Sequence, residues 1–387
     1  MKAQRAKALP IAAGYDVPLL LISAALLGLG LVMLTSASIG FAERSTGSPF
    51  YFLERQAVAA LLGIACGLVL LRLPTRTWER AGPMLPCLAI VLLTSVLVPG
   101  LGHTVNGSTR WLRIAGLAVQ VAEPARLLLI LYLAGYAVRH AAELRASLAG
   151  FLKPMALVIV CDLLLLAQPD FGSAVVLTAV AMAVLFAAGA RLRDLAVFTA
   201  LAVAAGVLLA IASPYRLKRI TGFMDPWADP YDSGFQLIQS LIAIGSGEWL
   251  GTGLGAGVQK LFYLPEAHTD FVFAVIAEEF GLLGSSLLLL LFAGLVWRGI
   301  AIARSAAAGG LPYQACLAFG IAVWLGLQVF VNIGVNMGVL PTKGLTLPLI
   351  SYGRSSLIIT LLSIALLLRV DHEVRLAAQP RRRRGGR

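Results

Sequence analysis

The sequence predicts an all-α protein that crosses a membrane about ten times. Its 387 residues are 59% hydrophobic and only 13% charged, and the mean hydropathy is +0.87. These values lie far above those of soluble domains, which need polar residues to cover their surface. The charged residues are concentrated in short segments between apolar runs, as in polytopic membrane proteins.

A helix needs about 17 to 25 apolar residues to cross a bilayer, and ten runs approach that length, the third and fifth being short. They define a transmembrane domain at 17–369, between an N-terminal segment at 1–16 and a basic tail at 370–387. The ten runs are 17–35, 54–72, 84–99, 115–138, 153–168, 173–190, 194–213, 270–297, 313–339 and 355–369.

Lysine and arginine near span ends are retained on the cytoplasmic side of membrane proteins. With ten spans, the side that holds both termini carries about twice as many of these residues as the other side. Both termini are therefore predicted to be cytoplasmic. The same orientation places Asp270, and the long connection that precedes it, on the extracytoplasmic face.

Several function classes are excluded. The net charge of +12 is spread over the connecting segments, and no DNA- or RNA-binding module is visible, so no nucleic acid partner is expected. The four cysteines lie in or beside apolar runs without a CxxC pair, which indicates neither a disulfide framework nor a zinc site. The glycine-rich run 251–257 lacks GxGxxG spacing and a preceding strand, so flexible or close-packed backbone explains it better than nucleotide binding.

The large outer loop between the seventh and eighth runs, 214–269, is the longest connection in the chain. Loops longer than about 12 to 15 residues without regular structure are usually functional. It opens with Arg216, Lys218 and Arg219, three cations on the side that the charge rule depletes. A bound anion would explain them, although long loops also escape that rule. A further cation, Lys260, follows near the end of the loop.

The end of this loop carries an acid, a histidine and a second acid at the mouth of an apolar helix. Ionisable groups are costly there and usually functional, so Asp270 is the first candidate for chemistry. His268 fits a proton relay or a metal ligand, but a lone histidine is more often a hydrogen-bonding support. Glu266 is predicted to shape the turn before the helix.

Three further polar clusters fall on the predicted outer face. The segment 339–356 contains two prolines and two glycines, so it cannot form a regular helix and must be buried in protein or line a wet cavity. The other two clusters are 106–111 and 168–173, and with the 263–271 motif they predict one extracytoplasmic cavity. Their candidate side chains are Lys343, Ser351, Arg110, Trp111, Gln168 and Asp170, where Trp111 fits either sugar stacking or anchoring at the membrane interface.

Charged residues also occur inside the predicted spans. Glu123 and Arg126 are three residues apart on one helix face and are predicted to neutralise each other as a structural pair. Glu278 and Glu279 lie two turns beyond Asp270, and one of them is a candidate to face the cavity.

Taken in order, these motifs resemble the SEDS family (shape, elongation, division and sporulation), membrane-embedded polymerases of the bacterial cell-wall glycan. The residues of the PTKG, DPWADPY and YLPEAHTDF motifs resemble those of the corresponding motifs in the division branch of the family. Two departures are Arg354, where the family usually has a second glycine, and Phe262, where division relatives often have an acid. The matching motifs are NGSTRW at 106–111, the Gln-x-x-Glu-x-x-basic pattern at 120–126, QPDFGS at 168–173, DPWADPYDSGFQ at 225–236, YLPEAHTDF at 263–271 and PTKGLTLPLISYG at 341–353.

The resemblance implies transfer between two molecules of lipid II, the undecaprenyl-diphosphate disaccharide-pentapeptide, with the lipid diphosphate leaving. Asp270 matches the family's essential aspartate and would be the base, while cations would hold the diphosphate, alone or with a divalent ion such as Mg²⁺ or Mn²⁺. The implied substrate-binding residues are Arg216, Lys218, Arg219, Lys260, Lys343, Ser351, Trp111 and Arg110. Their implied supports are Glu266, His268, Gln168, Asp170, Glu123 and Arg126.

The resemblance also implies partners and a location. They are a monofunctional class B penicillin-binding transpeptidase and other division proteins, at the septum in the bacterial cytoplasmic (inner) membrane. Two alternative functions stay open. A lipid II flippase would need a polar path across the membrane, often with inverted repeats, and a non-catalytic division scaffold would need no ordered acids and cations. Concentration of the polar clusters on one face favours the polymerase.

Overall fold

The computed structural model describes residues 14–105, 108–114, 117–211, 222–232, 234–341 and 344–378, which are mostly helical. Each of the ten predicted spans coincides with a helix, although the ends differ. The helices are α1 (Val17–Thr46), α2 (Tyr51–Arg72), α3 (Thr75–Ala81), α4 (Leu85–Ser95), α5 (Ala122–Arg139), α6 (Ala141–Ala146), α7 (Leu148–Ala167), α8 (Phe171–Ala187), α9 (Leu192–Ile211), α10 (Phe235–Ser246), α11 (Val272–Ala308), α12 (Pro312–Asn336) and α13 (Arg354–Ala378).

Among the described helices, six are long and apolar enough to cross a membrane: α1, α2, α7, α9, α11 and α12. Helices α4, α8 and α10 are apolar but shorter. Helices α5 and α13 are less apolar because charged residues interrupt them. The prediction of a mostly α-helical polytopic membrane protein is confirmed, while the number of crossings stays a prediction.

A three-stranded antiparallel sheet between α4 and α5 is absent from the all-α prediction. Its strands are β1 (Gly102–Val105), β2 (Ser108–Ile114) and β3 (Leu117–Gln120), in the order β1-β2-β3. The predicted start of the fourth span at residue 115 is therefore wrong, because β3 pairs with β2 and the helix begins only at Ala122. A short apolar run does not distinguish a strand from a helix by composition.

Helix α12 lies at the centre of the bundle. It packs along α11 and also contacts α5 and α8, and the side chains of Trp324 and Gln328 on it are fully buried. Helix α2 packs along α13, and α1 packs along α11. Helix α9 is peripheral, with most of its apolar side chains exposed. Such an apolar surface suits contact with lipid.

Helix α11 is kinked at Gly281, whose φ of 62° is a left-handed value that glycine tolerates best. The loop 247–253 packs against this break, and the Gly253 N–H donates to the carbonyl of Glu279 at 3.0 Å. A Cβ on Gly251 would lie 2.2 Å from the same carbonyl oxygen. Close packing is therefore the correct explanation for the start of the glycine-rich run.

Candidate functional site

The motif 263–271 forms a tight turn immediately before α11. Glu266 adopts a φ of 55°, and its carbonyl accepts hydrogen bonds from the N–H groups of Thr269 (3.1 Å) and Phe271 (3.2 Å). Its carboxylate also accepts the Thr269 hydroxyl at 2.6 Å. Glu266 thus holds the turn, and the half-buried Asp270 lies where the turn meets the helix.

The segment that precedes α13 passes directly beside Asp270. A Cβ added to Gly344 would lie 3.3 Å from Asp270 Oδ2, so the carboxylate lies close to the backbone of Gly344. Farther along, the Tyr352 N–H donates to the carbonyl of His268 at 2.9 Å. Two motifs that are distant in the sequence are therefore joined at the predicted catalytic residue.

The main chain of Asp270 is held by two asparagines that lie outside every motif singled out in the sequence. The side-chain amides of Asn332 and Asn336 each donate to the Asp270 carbonyl oxygen at 2.9 Å. Both are buried on α12. Their signal in the sequence is a pair of polar residues four positions apart within an apolar helix, which is costly unless the pair has partners.

His268 is packed among aromatic rings. Its ring centroid lies 4.6 Å from that of Phe52, 5.4 Å from Phe41 and 5.9 Å from Tyr352. Burial lowers the pKa of His268 below its usual value, and the nearby Glu266 opposes this only in part. A neutral, packed imidazole fits the supporting role better than a metal ligand.

Lys260 is neutralised inside the protein. Its ammonium lies 2.5 Å from Glu279 Oε1 and 2.8 Å from the Ser36 hydroxyl, and its side chain is only 6% exposed. It lies in the wall of an otherwise mostly apolar groove of about 480 Å³ beside α1. The neighbouring Glu278 accepts the Val258 N–H at 2.8 Å. Both glutamates therefore fix the loop, and Lys260 fits a structural role better than diphosphate binding.

Ser351 makes hydrogen bonds that stabilise the segment before α13. Its buried hydroxyl accepts the Leu347 N–H at 2.8 Å, which closes the turn before α13. Its carbonyl accepts the Gln56 side chain at 3.1 Å, and the same side chain accepts the Gly353 N–H at 3.3 Å. These contacts favour a role for Ser351 in shaping the segment over direct substrate binding.

The clusters at 106–111 and 168–173 meet each other. Arg110 donates to the carbonyl of Gln168 at 3.3 Å, and its guanidinium lies 3.8 Å from Asp170. Asp170 is the N-cap of α8, because its carboxylate accepts the N–H and hydroxyl of Ser173 at 3.2 and 2.9 Å. Trp111 is half-buried in β2, opposite Gln120 of β3.

Glu123 and Arg126 form an ion pair deep in the bundle. Their nearest charged atoms are 3.5 Å apart, and their side chains are 3% and 1% exposed. The guanidinium also lies over the Trp324 ring, 5.4 Å from its centroid. Glu123 Oε2 and Arg126 Nη2 are buried without a hydrogen-bond partner among the described residues. This pair leaves polar atoms in an apolar interior, where unpaired groups are costly.

Four predicted cations fall outside the described residues: Arg216, Lys218, Arg219 and Lys343. Their proposed contacts with an anion stay predictions. Within the described ranges, no three His, Cys, Asp or Glu side chains are grouped so that they could hold a metal ion by themselves. A role for a divalent ion at Asp270 stays a prediction.

The chain is similar to known proteins over almost its whole length. Residues 17–376 match the FtsW/RodA/SpoVE family, described as a cell cycle protein. Two similar proteins are each named "Probable peptidoglycan glycosyltransferase FtsW". The relative from Thioalkalivibrio sulfidiphilus is 55% identical over 94% of this chain and 91% of its own length. The relative from Alkalilimnicola ehrlichii is 54% identical over 94% and 91%, respectively.

Solved structures share the fold. A chain from a peptidoglycan synthase complex, studied for its coordination of polymerization and crosslinking, is 34% identical with a TM-score of 0.76, and the match covers 93% of this chain and 98% of that one. The rod shape determining protein RodA of Thermus thermophilus is 32% identical with a TM-score of 0.68, over 94% and 99%. The chain therefore belongs to the FtsW/RodA/SpoVE family, the SEDS family that its motifs resemble.

Proposed function

We propose that this chain is a peptidoglycan glycosyltransferase of cell division, which polymerises glycan strands from lipid II. Relatives that carry this enzyme's name share 50 to 55% of their residues with it over more than nine tenths of its length. The observation that carries the proposal is the meeting of two motifs at Asp270, whose carboxylate lies against Gly344 while its main chain is held from α12.

In the proposed reaction, Asp270 acts as the general base. A sugar hydroxyl of the acceptor attacks the anomeric carbon of the donor and gives its proton to the carboxylate. The new carbon–oxygen bond replaces the bond to the diphosphate with inversion, and undecaprenyl diphosphate leaves. A positioned base typically contributes about 10² to 10⁴-fold to such a step.

The leaving diphosphate needs positive charge nearby. Arg216, Lys218, Arg219 and Lys343 remain the proposed cations. The structural pairing of Lys260 with Glu279 makes it the weakest of the original candidates. Arg110 is bound to the 168–170 turn, so its proposed contribution is to fix that turn beside the predicted cavity. In this proposal the cations act alone or with a divalent ion such as Mg²⁺ or Mn²⁺.

The proposed setting is the extracytoplasmic face of the cytoplasmic membrane at the division septum, with both termini in the cytoplasm. The proposed partner is a class B penicillin-binding transpeptidase, with other division proteins around it. Similarity over almost the whole chain to a component of a peptidoglycan synthase complex supports a partner of this kind.

The test uses purified protein with its transpeptidase partner in liposomes containing lipid II. Asp270→Asn keeps the shape of the side chain and removes its basicity, so we expect at least a 100-fold loss of glycan strands on gels. Glu43→Gln, which neutralises an exposed carboxylate near the end of α1, is the matched control and should polymerise normally.

The same assay separates the alternative functions. Full polymerisation by Asp270→Asn would refute the base assignment. Lipid II movement across liposomes, without polymer from the unaltered protein, would favour a flippase. Neither polymer nor lipid movement, with intact binding of the partner, would favour a scaffold.

A further inference from the structure

Asn332 and Asn336 lie one turn apart on the same face of α12 and are 2% and 0% exposed. Buried amides in a membrane protein are costly unless their donors and acceptors are satisfied. Here the N–H groups of both side chains converge on one atom, the carbonyl oxygen of Asp270, each at 2.9 Å. Asn332 Oδ1 is buried without a hydrogen-bond partner among the described residues, so the donors of Asn332 carry its role.

Asn336 also caps the start of α11. The N-cap residue is Phe271, whose side chain has no hydrogen-bond acceptor. The N–H of Ala274, in the first helical turn, is shared between two acceptors: the carbonyl of Phe271 at 3.1 Å and Asn336 Oδ1 at 3.2 Å. The amide of Asn336 therefore bridges the Asp270 carbonyl and the Ala274 N–H, the two groups that a regular helical turn would join directly. Asn336 performs from a neighbouring helix what a capping residue performs locally.

Asn332 connects the same carbonyl to the facing segment. Its amide also donates to the carbonyl of Leu345 at 2.6 Å. Leu345 directly follows Gly344, the residue whose Cβ would lie 3.3 Å from Asp270 Oδ2. One side chain thus fixes both the main chain of Asp270 and the backbone that its carboxylate faces.

We propose that Asn332 and Asn336 are positioning residues for the Asp270 carboxylate. The inference rests on the proposed function, in which Asp270 takes a proton from the acceptor hydroxyl. A base must be held within a fraction of an ångström of its productive position, and a shift of about 1 Å can cost about 100-fold in rate. The two amides act through the Asp270 main chain and do not themselves transfer a proton.

The test compares Asn332→Ala and Asn336→Ala with Gln314→Ala in the lipid II assay. Gln314 is an amide on the same helix, about 27 Å from Asn332 at 1.5 Å per residue, and it binds Thr75 and Glu373 instead. We expect kcat to fall about 10- to 100-fold in each asparagine variant, with KM for lipid II within threefold of the unaltered protein. Gln314→Ala should keep its kcat.

Two further measurements distinguish positioning from general damage. Asn332→Ser and Asn336→Ser retain a hydroxyl donor, so each should recover part of the lost kcat, and they replace the alanine variants if those do not fold. In the Asp270→Asn background, Asn332→Ala should cause no further loss, because its effect passes through Asp270. If that background is too slow to measure, the kcat and KM values and the serine variants decide.

The inference fails if a folded Asn332→Ala protein keeps kcat within twofold, or if the change appears in KM instead. It also fails if the Asn332→Ala and Asp270→Asn losses multiply. These results are distinguishable from failure of the proposed function, because that failure is an Asp270→Asn protein that still polymerises lipid II.

Discussion

The two ends of helix α11 hold their charges in different ways. Near its start, Glu279 forms an ion pair with Lys260 in which the side chains are 0% and 6% exposed. Toward its other end, Arg298 forms an ion pair with Asp16, and Arg375 of α13 lies 3.8 Å from the same carboxylate. Among the described residues, the first arrangement is a single buried pair, whereas the second is a shared and partly exposed network.

The two arrangements are expected to differ in how much stability is lost when one charged side chain is removed. Removing one partner of a buried pair leaves an uncompensated charge, which is much more costly than the pair is favourable. A shared carboxylate keeps a second cation when one is removed. Lys260 resembles a free cation in the sequence because its carboxylate partner, Glu279, lies in the next helix and not in the same loop.

The largest effect is therefore expected from Glu279→Ala. The variant leaves the Lys260 ammonium buried without its carboxylate, and we expect a loss of about 3–5 kcal/mol in the free energy of unfolding. Thermal unfolding in detergent measures this loss. The double variant Lys260→Met with Glu279→Leu is the matched control, because it removes both charges and should recover most of the stability.

A Glu279→Ala protein that loses less than about 1 kcal/mol would have the energetics of an exposed ion pair. In that case Lys260 would be free to reach a diphosphate, and its original assignment as a substrate-binding residue would be restored. The experiment thus decides between a structural and a functional role for this cation.

Long apolar runs made the helices predictable, whereas the partners of individual polar side chains were not. Each of the ten spans predicted from hydropathy coincides with a helix, because long apolar runs form helices in a membrane protein. The pairing of Lys260 with Glu279 depends on how the loop 247–261 packs against α11. The hydrogen bond from Asn332 to the Asp270 carbonyl depends on contact between α11 and α12. No local pattern in the sequence encodes these contacts.

The missed sheet had a local signal. An Asn-Gly step at 106–107 lies between two short segments, and this step between strands is the strongest short-range signal for a hairpin. The apolar run that includes Leu117–Gln120 then extended the predicted fourth span into what is β3.

A smaller effect is expected from Arg375→Ala at the other end of α11. Its side chain is 45% exposed, and it pairs with Asp371 at 2.7 Å as well as lying 3.8 Å from Asp16. Arg298 remains near both carboxylates when Arg375 is removed. We therefore expect a change of only about 1 kcal/mol in the free energy of unfolding, near the upper end for partly exposed ion pairs. Thermal unfolding of Arg298→Ala provides the contrast, because Arg298 is the closer partner of the buried Asp16 and its loss should cost more. Equal losses in the two variants would contradict the assignment of Arg298 as the main partner of Asp16.

The smallest effect concerns His268 and is confined to acidic pH. Because burial lowers the pKa of folded His268 below 6.5, the unfolded chain binds a proton first as the pH falls. His268 therefore contributes stability above about pH 6.5 that is lost as the pH falls toward its folded pKa. His268→Phe keeps an aromatic ring beside Phe52 and removes the titration. Its melting temperature should fall less between pH 7.5 and 5.5 than that of the unaltered protein.

The control is His103→Phe, on the sheet, which should leave this pH-dependent fall in melting temperature unchanged. An equal fall for His268→Phe would mean that protonation of His268 does not limit stability, and that its environment accepts the charged ring.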